Sequence, residues 1–371
     1  MMQKTFFNHT VKAILYALLL TTIAFSSFSC KDNEDKGSQT DNTASLGKGL
    51  YILCQGNIGH NNASIDFYNT DSSSLTRDIF TLKNSQGLGD VANDIIVFGD
   101  KIFITVEQSA CVAVINANTA KLIKRIAIVD NHGKNRTPFS LAKDNKNLYV
   151  CCYDGHVLSI NPSSLSIEKS VAVGRNPECI CYANSSLYVS NSGGLEYQSG
   201  NYDTTISVLG TPTLNPITTI SVGKNPGMIK QLNSSLIGVI VRGDYSNVKF
   251  LTISTLTNTI QNTFPIEMST FDILGNKVLY INYDYTTGTK AIKLLDYTNT
   301  SITTENFVKD NSILNKITLP SNVCVSSATN KVYITDDMDY VSSGKVWVFD
   351  TQGNYLYNFT CSNIPWLVLE R

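Results

Sequence analysis

Charge is scarce in this chain: of 371 residues only 16% are Asp, Glu, Lys or Arg, and the formal net charge is −1. So neutral a chain offers no basic face to neutralise phosphates, which excludes an electrostatic grip on DNA or RNA. Histidine numbers four. His60, His132 and His156 fall in different expected loops without shared spacing, so no His-built metal site is expected. Cysteine reaches nine, yet no Cys-x-x-Cys occurs, which argues against zinc. Asp336-Asp337-Met338-Asp339 opens like a calcium loop but lacks the Gly and the distal Glu that such a loop needs. No Gly-x-Ser-x-Gly elbow, phosphate loop or Ser-x-Asp-x-Gly box is present, so neither an enzyme nor a cofactor is expected. Tryptophan is limited to Trp347 and Trp366, which weighs against a sugar-stacking platform. A hydrophobic content of 42% and a mean hydropathy of −0.03 exclude both a disordered chain and a multi-span membrane protein.

The one sustained apolar run, residues 13–25, is short for a bilayer core of ~30 Å. Lys4 and Lys12 precede or open it, and Ser26-Ser27-Phe28-Ser29 closes it ahead of Cys30. Residues 1–29 therefore read as an export signal. A cysteine at that place resembles the lipidated first residue of a bacterial lipoprotein. Because Ser27 stands where Leu is usual, ordinary secretion with cleavage near Ser29 stays open as the alternative. The cluster Lys31-Asp32-Asn33-Glu34-Asp35 resembles the export signal of Bacteroidetes surface lipoproteins. Residues 30–47 read as a polar, flexible tether anchored by lipid on Cys30, on the cell-surface side of the outer membrane.

Residues 48–371 repeat one phrase: a β-rich quartet with a central aromatic, a polar loop, then further apolar strands. The quartets are Leu50-Tyr51-Ile52-Leu53, Ile102-Phe103-Ile104-Thr105, Leu148-Tyr149-Val150-Cys151, Leu187-Tyr188-Val189-Ser190, Gly238-Val239-Ile240-Val241, Leu279-Tyr280-Ile281-Asn282 and Val332-Tyr333-Ile334-Thr335. Seven copies at about 46 residues each fit propeller blades. β-branched and aromatic enrichment with frequent turn residues argues strands throughout. An all-β, seven-bladed β-propeller follows, because radial repetition leaves only short sheet edges. The chain begins at a quartet and ends on Pro365-Trp366-Leu367-Val368-Leu369, a Pro-led strand with no quartet after it. That last strand is expected to complete blade 1 and close the ring. The eight cysteines after Cys30 are expected to be mostly free, buried thiols, since several fall in strands.

In such a ring the loops between the second and third strands share one face. Seven of the 18 tyrosines fall in them: Tyr153, Tyr197, Tyr202, Tyr245, Tyr283, Tyr285 and Tyr340. Tyrosine gives a large, rigid contact area with a polar tip and is not a turn former. The expected ligand-binding residues are Asn191, Tyr202, Asp203, Arg242, Tyr245, Tyr283, Tyr285, Asp339 and Tyr340. The tyrosines supply apolar contact and the others supply hydrogen bonds, with Arg242 as the partner of a phosphate. Against this stands the plainer expectation that Asp and Asn here only close turns through their own backbone.

The Pro-led repeats and Leu-Tyr-Val quartets resemble YncE-like seven-bladed propellers. The phrases Asn191-Ser192-Gly193-Gly194 with Asn201-Tyr202-Asp203, Arg242-Gly243-Asp244-Tyr245, and Thr335-Asp336 with Asp339-Tyr340 resemble more narrowly the BtuG group of cobalamin-capturing surface lipoproteins. So do Leu88-Gly89-Asp90-Val91-Ala92-Asn93-Asp94-Ile95 and Gly47-Lys48-Gly49-Leu50-Tyr51. The resemblance implies binding of cobalamin or a related corrinoid and its transfer to a TonB-dependent outer-membrane transporter, with no chemistry performed. Two rivals remain: a surface protein- or glycan-interaction propeller without a small ligand, and a metal-dependent propeller enzyme.

Overall fold

The computed structural model describes residues 44–299 and 301–371. Cys30, the export signal and most of the tether lie outside them. Seven four-stranded antiparallel sheets follow one another along the chain, each occupied by one repeat. Their innermost strands are, from blade 2 to blade 7, Ala92–Phe98, Pro138–Lys143, Pro177–Ala183, Pro226–Gln231, Thr270–Leu274 and Pro320–Ser326. Blade 1 takes its innermost strand from the end of the chain. Pro365–Glu370 pairs with Gly49–Cys54 in the register Leu50↔Glu370, Tyr51↔Leu369, Ile52↔Val368. Backbone bonds between Gly49 and Arg371 extend the ladder one step further, at 3.2 and 3.0 Å. The expected closure of the ring is therefore present.

Packing explains the spacing of the quartets. Strand residues alternate between the two faces of a blade, and each face buries its apolar residues against the next sheet. Among the described residues the core divides into seven apolar clusters, one for each pair of neighbouring blades. The quartet tyrosines bridge these joints. The Tyr51 hydroxyl donates to the Ala117 carbonyl in blade 2 at 2.9 Å, and the Tyr188 hydroxyl donates to Asn258 Oδ1 in blade 5 at 2.8 Å.

In blades 5 and 6 the quartet sits one residue out of the expected phase. The aromatic position is Tyr51, Phe103, Tyr149, Tyr188 and Tyr333 in five blades, but register places Gly238 and Leu279 there in the other two. Blade 5 borrows its ring from the neighbouring strand. A Cβ on Gly238 would lie 2.5 Å from the Phe250 ring, so the glycine makes room for it. Tyr280 instead turns back into the cluster shared with blade 5. Gly238→Ala should cost about 1–3 kcal/mol through overpacking, read as a lower midpoint in urea at unchanged slope. An unchanged midpoint would mean that Phe250 swings aside freely.

Side chains on the innermost strands lace adjacent blades together around the axis. Asp94 Oδ2 accepts from Ser140 Oγ at 2.9 Å and from the Leu141 amide at 2.8 Å. Asp272 Oδ2 accepts from the Val325 amide at 2.8 Å, while Lys230 Nζ lies 3.1 Å from Asp272 Oδ1. Asn322 Nδ2 donates to the Trp366 carbonyl at 3.0 Å, tying blade 7 to the closing strand.

Two short helices were not expected. In blades 1 and 6 the outermost strand shrinks to Ser74–Thr76 and Thr304–Asn306, and a helix follows: α1 (Ile79–Asn84) and α2 (Asn311–Lys316). Asp78 and Asp310 cap them, accepting from the Thr81 amide at 3.2 Å and the Ser312 amide at 2.7 Å. Buried Ile79, Phe80 and Ile313 pin them to the sheets. Among the described residues no helix is long and apolar enough to cross a membrane. His156, expected in a loop, opens a strand instead, with its Nδ1 3.2 Å from Asp154 Oδ2. No two of the eight cysteines of the described part are bonded in this structure, and all are buried except half-buried Cys179.

Candidate functional site at the loop face

The loops that join second to third strands gather on one face, as expected, and the chain builds that face the same way blade after blade. Most innermost strands open with a β-bulge, where one extra residue is left unpaired and re-aimed. The bulges fall between Ala92 and Asp94, Pro138 and Ser140, Pro177 and Cys179, and Pro320 and Asn322. The extra residues are therefore Asn93, Phe139, Glu178 and Ser321. Opposite them stands the first residue after each second strand. Its amide bonds to the carbonyl just before the innermost strand, as in Glu107 to Val91, Tyr153 to Thr137, Arg242 to Asn225 and Asp337 to Leu319.

These two positions meet in pairs around the mouth of the central axis. Asn93 Nδ2 donates to Glu107 Oε2 at 2.7 Å, and Gln55 Nε2 donates to Asn93 Oδ1 at 3.3 Å. Phe139 and Tyr153 stack edge to face with centroids 4.6 Å apart. The Arg242 guanidinium reaches across from blade 5 to blade 4 and grips both oxygens of Glu178, one of them from Nη1 at 2.7 Å. Burial acts to lower the Arg242 pKa, but the Glu178 carboxylate outweighs it and the net direction is up. Gly227 permits this reach, since a Cβ there would lie 2.4 Å from the guanidinium. In blade 7 the Ser321 hydroxyl bonds Thr335 Oγ1 at 2.8 Å and the Pro365 carbonyl at 3.2 Å.

Asp337 is the outlier of the mouth. It is 5% exposed, and its Oδ1 has no hydrogen-bond partner. Burial first, and repulsion from neighbouring Asp336 second, push its pKa up to about 7. Asp336 itself is saturated, accepting from the Thr318, Leu319 and Met338 amides and the Trp347 indole at 2.8–3.2 Å.

The tyrosines expected from the sequence gather in two groups. Tyr202, buried, meets Tyr245 edge to face at 6.5 Å between blades 4 and 5. Tyr283 meets Tyr285 edge to face at 4.9 Å in blade 6, and the Tyr285 and Tyr340 hydroxyls face each other between blades 6 and 7, near Asp337. Tyr245 and Tyr340 both hold positive φ, at 66° and 64°, in loops of the same shape. Non-glycine residues rarely adopt that conformation, and here it recurs at two tyrosines on one face.

The polar residues expected alongside them serve the loops. Asn191 is fully buried, its Nδ2 donating to Thr205 Oγ1 and Ser207 Oγ at 3.0 Å. Asp203 accepts from the Thr204, Thr205 and Arg175 amides at 2.6–3.1 Å. Asp339 accepts from the Val341 and Ser342 amides at 3.0 and 2.6 Å. Arg242 reaches the mouth, but its charge is met by Glu178. Sequence reasoning missed Gln55, Asn93, Glu107, Phe139, Glu178, Ser321 and Asp337. Their signal is positional: the residue after the Pro-led start of each blade, and the residue after each quartet strand.

A loop face built of paired polar and aromatic groups on a rigid ring defines a seven-bladed β-propeller suited to holding a ligand or a protein partner. The chain belongs to the family described as a domain of unknown function, DUF5074, whose model matches residues 48–364. No curated protein matches the sequence. Among solved structures it is similar to a quinonprotein alcohol dehydrogenase-like protein from Bacteroides thetaiotaomicron, at 16% identity and TM-score 0.65, over 88% of this chain and 79% of that one. Hydrazine synthase of Kuenenia stuttgartiensis aligns at 16% identity and TM-score 0.58, over 70% and 76%. A chain of a mitotic checkpoint complex aligns at 10% identity and TM-score 0.57, over 93% and 91%. Identities this low speak for the fold alone.

Proposed function

We propose that this protein is a non-catalytic capture module that binds cobalamin or a related corrinoid at the loop-face mouth. It is held by lipid on Cys30 at the cell-surface side of the outer membrane and passes its cargo to a TonB-dependent transporter. The observation that carries the reading is the chemistry of the mouth. Aromatic groups at Phe139–Tyr153, Tyr202–Tyr245 and Tyr283–Tyr285–Tyr340 alternate with polar groups that are neutralised in place, above all Arg242 by Glu178. A large, flat, amide-bearing ligand needs apolar area plus hydrogen bonds and little net charge.

The test is calorimetric titration of the chain lacking residues 1–30 with cyanocobalamin. Saturable heat at micromolar protein is expected, and Tyr283→Ala with Tyr340→Ala should weaken binding at least about tenfold. Absence of heat would overturn the corrinoid reading.

A second reading, a protein-interaction propeller without a small ligand, draws on the crest above the mouth. Leu195, Tyr245, Tyr285 and Val341, one on each loop of blades 4 to 7, are 66%, 52%, 70% and 82% exposed. Apolar tips clustered on one half of a face mark a contact surface. In the capture reading Leu195 and Val341 meet the transporter, beside the tyrosines that hold the cargo. Leu195→Ser with Val341→Ser should then leave corrinoid binding intact and abolish transporter contact.

A further inference from the structure

The seam where the ring closes holds a feature that the binding reading does not use. Cys54 ends the first strand of the propeller, and Cys361 follows the last outer strand, Tyr355–Thr360, just ahead of the closing strand. Both are 0% exposed. The two sulfurs and one carboxylate oxygen of Asp66 lie within 4.8 Å of one another.

Two chemistries suit such a trio: a thiophilic metal ion, or a bond between the sulfurs. The surroundings favour the second. Asp66 already accepts from the Asp78 amide at 2.8 Å, the Ser362 amide at 2.7 Å and Ser362 Oγ at 2.8 Å. Its oxygens are engaged in holding the Ser362 turn and the start of α1. Burial, and then the Cys361 thiol and the Asp66 charge, push the Cys54 thiol well up, so a pair of thiolates beside a carboxylate is costly here. A structural zinc site takes four ligands, and three are present. A disulfide carries no charge and suits a fully buried seam that already holds a carboxylate.

We propose that Cys54 and Cys361 form a disulfide that locks the closing strand of the propeller covalently. The oxidant is a small-molecule or protein disulfide. One cysteine, as its thiolate, attacks that disulfide, forms a mixed disulfide and expels one thiolate. The second cysteine then displaces the other half. The two cysteines lose two electrons and two protons in total, and the oxidant gains both as two thiols. Because both sulfurs are inaccessible in the closed ring, the exchange belongs to folding, before the last strand docks. The bond would enclose nearly the whole propeller, and cross-links across long loops restrict the unfolded chain most. This proposal is independent of the corrinoid reading and stands or falls without it.

The test uses the full chain refolded with an oxidised and reduced glutathione mixture, then unfolded, alkylated without reduction and mapped by mass spectrometry. A cross-linked peptide pair containing Cys54 and Cys361, lighter by two hydrogens than the separate thiols, is expected. Reduction should lower the melting temperature by about 5 °C or more. Cys54→Ser and Cys361→Ser should each abolish that response to reductant, whereas Cys111→Ser, buried in blade 2, should keep it. Full alkylation of both cysteines in the unreduced protein would overturn the proposal, as would a different pairing. So would stoichiometric zinc that shields both thiols. The peptide map of the parent protein decides the matter even if the serine variants fail to fold.

Discussion

Asp337→Asn should make the protein more stable than its parent at pH 8, by a margin that vanishes near pH 4. The carboxyl is 5% exposed, burial and Asp336 raise its pKa from 3.8 to about 7, and one oxygen lacks a partner. An acid whose pKa is higher in the folded state keeps its proton longer there than in the unfolded chain. The folded state therefore binds more protons between about pH 4 and pH 7, and stability falls as pH rises through that window. A rise of that size corresponds to something on the order of 4 kcal/mol. The amide removes this titration, so urea midpoints measured at pH 4, 6 and 8 should diverge steadily between parent and variant. Parallel midpoints would show that Asp337 is solvated after all.

The ring itself was open to reading because its instructions are repeated. Each blade carries the same alternation, an aromatic at the same place in most second strands and a turn at nearly the same interval, so one clear copy decodes its neighbours. The closing strand was legible for the same reason: Pro365-Trp366-Leu367-Val368-Leu369 is a blade opening without a blade. Blade 6 slipped by one residue because the cue was the Tyr280 ring and not the position, and blade 5 slipped because its quartet has no ring to mark the position. Phe250 supplies from the next strand what Gly238 lacks, and Tyr280 faces backwards. The site was harder. A tyrosine at a loop tip stands out in sequence, whereas Glu178 and Arg242 acquire their meaning only when blades 4 and 5 are set side by side. Bulges are equally silent in sequence, because a single extra residue in a strand leaves the composition unchanged. Asp203 and Asp339 spend their carboxylates on loop amides and Asn191 its amide on the Thr205 and Ser207 hydroxyls, so polar residues that stand out in sequence as ligand groups also build the loops that carry them.

The Glu178–Arg242 pair offers the sharper test of how the mouth is built. The side chains are 15% and 23% exposed, and both oxygens of the carboxylate are engaged. Glu178→Ala should destabilise the protein by roughly 3 kcal/mol, because it strands a guanidinium in a site with little water, beside Gly227 and Tyr153. Adding Arg242→Met should recover most of that loss, since an apolar side chain of similar reach can lie over Gly227 without needing a partner. The coupling in such a double-mutant cycle should be about 2 kcal/mol, whereas additive effects would mean that solvent already screens the pair. The cycle also separates two roles for Arg242. Paired with Glu178, it presents a neutral surface to cargo. Freed from Glu178, it should take up anions, so inorganic phosphate should raise the melting temperature of the Glu178→Ala variant and leave the parent unmoved. Phosphate stabilisation of the parent, lost in Arg242→Met, would mean that the guanidinium already engages anions despite its carboxylate, and the mouth would then suit a phosphate-bearing part of the ligand better than a neutral one.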